Sequence, residues 1–78
     1  MEISIHEVDE LQKYPAGIKY GLICKDLETG RFVLFDNHHP KGPHVHVNSL
    51  ESHYEFKDEV TLFGDFRRAV FKELGVNL

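Results

Sequence analysis

The hydrophobic residues of this 78-residue chain change their period once. As far as Phe56 they recur at alternate positions, and from Glu59 to Leu74 they recur every three to four. Period two places alternate side chains on opposite faces of a strand, and a period near 3.6 builds one apolar stripe along a helix. A chain patterned this way lays down strands first and a single helix last. It buries itself by setting the helix on one face of an antiparallel sheet. At this length only about 60% of the unfolded surface is removed from water, so there is room for one small core and no second domain.

The elements follow from the pattern. Ile3 and Ile5 alternate with Ser4 and His6 in a short first strand, and Tyr14-Pro15-Ala16-Gly17 is a turn. From Ile18 to Lys25, Ile18, Tyr20, Leu22 and Cys24 share one face. Asp26 to Gly30 is a hairpin loop. Arg31 to Asp36 is apolar on both faces, which suits a central strand. Asn37 to Pro43 holds two prolines and a glycine and is a loop, and His44-Val45-His46-Val47 alternates again. Tyr54 and Phe56 are expected in a last short strand. Asp58 suits an N-cap, Glu59 the first helical turn and Gly75 the stop. The expected fold is α+β: an antiparallel meander of four to five strands with one C-terminal helix packed on one face. Phe63, Phe66 and Leu74 are expected in the core, with Phe71 at the edge of their stripe and Arg67 and Arg68 solvated. Tyr20 and Tyr54 are expected as core aromatics with wet hydroxyls.

Composition narrows the function. Nine Lys and Arg against thirteen Asp and Glu give a net charge of −4, which disfavours a general nucleic-acid binder held by phosphate neutralisation. Cys24 is the lone cysteine, which excludes an internal disulfide and a cysteine-rich zinc fold and favours a reducing, cytoplasmic setting. No apolar run approaches the roughly 18 residues of a membrane span, and the acidic, alternating opening is unlike a signal peptide.

Six histidines are many for this length, and His38, His39, His44 and His46 fall within nine positions. Residues 37–48 contain those four and Lys41 but no acid, so this stretch is locally cationic in an acidic chain. His44 and His46 share a strand face, with Cβ atoms roughly 6–7 Å apart, and the loop can bring His38 or His39 back beside them. Three readings are open. One is metal-independent RNA cleavage, with His44 and His46 as acid and base, His38 assisting and Lys41 supporting the phosphate. The second is a non-catalytic binding or regulatory module whose cluster holds zinc, nickel or iron through His38, His44 and His46, with Asp36 as ligand or orienting partner, or else docks a protein partner. The third is a face of histidines that bind nothing. Cys24 is expected as a buried thiol, and His6 and His53 as polar-face residues of edge strands. The first strand could also pair along a sheet edge and make a homo-oligomer.

The segments Phe35-Asp36-Asn37-His38-His39, Lys41-Gly42, His44-Val45-His46 and Tyr54-Glu55-Phe56, with Lys19-Tyr20 before them and Leu62 and Asp65-Phe66 after, resemble the TumE-like proteins, toxins of small toxin–antitoxin pairs. The resemblance implies a toxin neutralised by a helix-turn-helix antitoxin partner and acting on RNA. It places the site at Asp36, Asn37, His38, Lys41, His44 and His46, with His39 beside them in the substrate-binding loop.

Overall fold

The computed structural model describes residues 1–78. Five strands, β1 (Glu2–Glu7), β2 (Ile18–Lys25), β3 (Phe32–Asp36), β4 (His44–Val47) and β5 (Leu50–His53), precede one helix, α1 (Glu59–Leu74). Each strand pairs antiparallel with the next, so the order across the sheet is the order along the chain. The α+β meander with a C-terminal helix is the expected one, and the doubly apolar β3 lies at its centre.

Register divides the sheet into two unlike faces. Leu22 lies opposite Phe35 and Cys24 opposite Val33, and Phe35 and Val33 lie opposite Val45 and Val47. These residues face α1, whose Leu62, Phe66 and Val70 are fully covered against them. The Phe35 ring meets Phe66 edge-on at 5.7 Å between centroids and Tyr54 at 5.1 Å. Burying each such side chain stabilises the fold by about 1.5–3 kcal/mol. The helix starts where Asp58 Oδ1 accepts the Thr61 N–H at 2.7 Å. It ends at Gly75, whose φ of 69° lets its N–H reach the Phe71 carbonyl.

Four side chains depart from expectation. Tyr54 and Phe56 lie outside the sheet, because a two-residue turn at Asn48-Ser49 starts β5 early, at Leu50. Asn48 takes φ 57°, and its side-chain oxygen accepts the Phe32 N–H at 2.9 Å, pinning that turn to β3. Tyr54 and Phe56 still pack against the core. Phe63 is more than a third exposed, with the Arg67 guanidinium over its ring, because the covered stripe runs through Leu62 instead. The Tyr20 hydroxyl is buried without a hydrogen-bond partner, not wet, while Tyr54 donates its own to Asp65 at 2.5 Å.

Asn37 extends the β2–β3 pairing by one side chain. Buried, it accepts the Tyr20 N–H at 2.9 Å and donates to the Ile18 carbonyl at 2.8 Å. Asn37→Ala orphans both buried groups, and a loss of about 2–3 kcal/mol is expected in urea denaturation. A second expectation concerns acid. The backbone N–H of Thr61 holds the Asp58 carboxyl below its ordinary 3.8. A lowered carboxyl stabilises the fold fully above that value and loses its contribution as pH falls through the folded one. The stability gap between wild type and Asp58→Ala is therefore flat near neutrality and narrows below about pH 3.8, as paired denaturation curves would record.

Candidate functional site

The face of the sheet turned away from α1 gathers the polar residues. Asp36 lies opposite His44 and Leu34 opposite His46, and on the other side His44 lies opposite His53 and His46 opposite Glu51. Period two sends Val45 to the core, turns Val47 the same way, and sends both histidines to the opposite face.

His44 is nearly buried and engaged at both ring nitrogens. Nδ1 lies 2.7 Å from the Gly42 carbonyl and Nε2 lies 2.8 Å from Asp36 Oδ1. A carbonyl only accepts, so Nδ1 carries a proton. Nε2 faces the Asp36 carboxylate across 2.8 Å, so the ring is fixed by Gly42 at one nitrogen and by Asp36 at the other. The His46 ring stands edge-on to His44, 4.9 Å between centroids, and its Nε2 lies 3.9 Å from Glu51 Oε1. One donor atom each from His44, His46 and Glu51 lies within 4.8 Å of the other two. Donors around a tetrahedral zinc ion sit about 3.4 Å apart, so the three side chains would have to close inward to hold one.

The charges favour a cation. Lys41 Nζ contacts both oxygens of Glu51, at 2.9 and 3.1 Å. This hydrogen bond is the main reason the Glu51 carboxyl is held below its ordinary value. Two carboxylates, Asp36 and Glu51, stand beside the histidine pair against the single ammonium of Lys41. The Tyr20 hydroxyl is pushed up to about 12, first by burial and then by the negative charge of Asp36.

The sequence-predicted residues separate into two groups. Asp36, His44, His46 and Lys41 meet at this site. His38 and His39 have exposed side chains on the loop and do not join the donor cluster. The His38 N–H donates to Asp36 Oδ1 at 3.3 Å and the His39 N–H to the Tyr14 hydroxyl at 3.4 Å, so these residues serve the loop through their backbone. Asn37 is spent on the β2 backbone. Glu51 was missed, because the Asn48-Ser49 turn that sets residue 51 across from residue 46 is pinned by the Phe32 N–H, a contact from a distant strand.

A scan against protein-family models, a search of curated proteins and a search of solved structures return no match. Nothing in them ties the chain to the TumE-like proteins, to a toxin–antitoxin pair, to RNA binding or to ribonuclease activity. Those expectations are withdrawn, and a small α+β domain is what stands. No helix is long and apolar enough to cross a membrane.

The His44–Asp36 contact makes a testable difference. Asp36→Ala leaves a buried ring nitrogen without its partner and should cost about 1–3 kcal/mol in chemical denaturation. His38→Ala and His39→Ala, exposed on the loop, should stay within about 0.5 kcal/mol of wild type.

Proposed function

We propose that this domain is a binding module that holds one divalent transition-metal ion, zinc or nickel, between His44, His46 and Glu51. The observation that carries the reading is the convergence of two imidazoles and a carboxylate, all within 4.8 Å, from two adjacent strands. Rigid strands hold ligands better than loops do, and here the hairpin register sets the spacing.

The ligand types select the metal class. Two imidazole nitrogens with a carboxylate suit zinc or nickel, whereas calcium and magnesium prefer oxygen alone. Gly42 supports the same reading: a metal-bound histidine commonly donates its other ring N–H to a backbone carbonyl, which fixes tautomer and ring plane. The ion would take Nε2 of His44, displacing the contact which that nitrogen makes with Asp36 at 2.8 Å. Asp36 and Glu51 attract a cation and repel a phosphate, so the surrounding charge favours an ion over an anionic substrate.

Calorimetric titration of tag-free protein with zinc chloride or nickel sulfate tests this. One ion per chain is expected. His46→Ala should weaken binding by tenfold or more, on the order of what metal-site partners contribute. At a free zinc concentration of about 100 times Kd the fold should gain about 2.7 kcal/mol, seen as a higher Tm. No heat of binding for either metal, and no metal adduct in native mass spectrometry, would sink the proposal.

A further inference from the structure

Resting on the metal-binding reading, we infer that Lys41 is a built-in competitor whose ammonium holds the metal-facing carboxylate of Glu51 until an ion displaces it. Nζ lies 2.9 Å from Oε1 and 3.1 Å from Oε2, so neither carboxylate oxygen is free of it. Oε1 is also the oxygen 3.9 Å from His46 Nε2. Ammonium and ion therefore share one acceptor, and both cannot hold it at full strength.

The pair is built to yield. The Lys41 side chain is 60% exposed and that of Glu51 38%, and ion pairs in such surroundings contribute little, because water screens them and long side chains lose freedom. A divalent ion gripped at the same time by two imidazoles replaces a single flexible contact. The loop places both components: Lys41 precedes Gly42, whose N–H donates to the His38 carbonyl at 3.2 Å and whose own carbonyl meets His44. One short turn thus positions the competitor and orients a ligand. The charged and titratable groups around Glu51 are Lys41, His46 and His44, with Asp36 beyond His44.

Zinc entry should release the Lys41 amine to solvent. The test compares zinc affinity in wild type and Lys41→Met, which keeps chain length and removes the charge. Lys41→Met should bind zinc roughly twofold to fivefold more tightly, the range such exposed pairs contribute. In a Glu51→Gln background the same substitution should change affinity far less, because the shared acceptor is gone. A second measurement uses the unaltered chain: site-resolved reductive methylation of Lys41 should rise on adding zinc, while Lys13, paired with Glu10 at 3.2 Å, serves as the reference amine. Equal affinity in wild type and Lys41→Met, or Lys41 labelling indifferent to zinc, overturns this inference and leaves the metal site standing. Failure of zinc to bind either protein overturns both.

Discussion

The seam between α1 and the sheet governs the rest of the molecule. Leu62, Phe66 and Val70 are covered completely, and with Leu22, Val33 and Phe35 they form the one core the chain can build. Once that seam is closed, alternation along each strand leaves no choice about the other face. A one-residue slip of β4 would turn His44 and His46 toward α1 and Val45 and Val47 away from it. The hydrophobic effect therefore enforces the placement of the polar cluster without acting on it directly.

Within the open face, the network around His44 is the least forgiving part. Its ring is nearly buried and held at both nitrogens, by Gly42 on one side and Asp36 on the other. Asp36 also receives the His38 N–H, so one carboxylate organises both the turn and the imidazole. Asn37 works in the opposite direction, reaching to the β2 backbone and fastening the start of the loop to the sheet. Loop, strand end and site are thus one hydrogen-bonded unit. Lys41, at the exposed margin of this unit, pairs with Glu51 on the neighbouring strand.

The electrostatic character of the site reverses between one dimension and three. Along the chain, residues 37–48 are free of acids and rich in histidine, which suggests affinity for phosphate. Folding sets Asp36 against one side of the histidine pair and Glu51 against the other, because antiparallel strands bring together residues that flank a turn. The neighbourhood that an incoming ligand meets is the folded one, in which carboxylates flank the histidine pair.

Much of this was legible in the residues themselves. Alternation in β2, the two-faced apolar run of β3, Asp58 before a helical stripe and Gly75 after it determined the element types and the helix ends, since backbone geometry and local capping depend on near neighbours. His44 and His46 on a common face followed from the same rule. The last strand was misplaced, and Glu51 with it, because the αL conformation of Asn48 and its bond to Phe32 are decided by a strand 16 residues away. The exposure of Phe63 depends on how α1 rotates against the sheet, and the unpartnered Tyr20 hydroxyl on a tertiary core in which its ring stacks on Phe56. What the sequence by itself determined was which residues alternate and where the period changes. What only the tertiary structure decided was which of them meet across strands, because register is a contact between distant segments and carries no mark on either one alone.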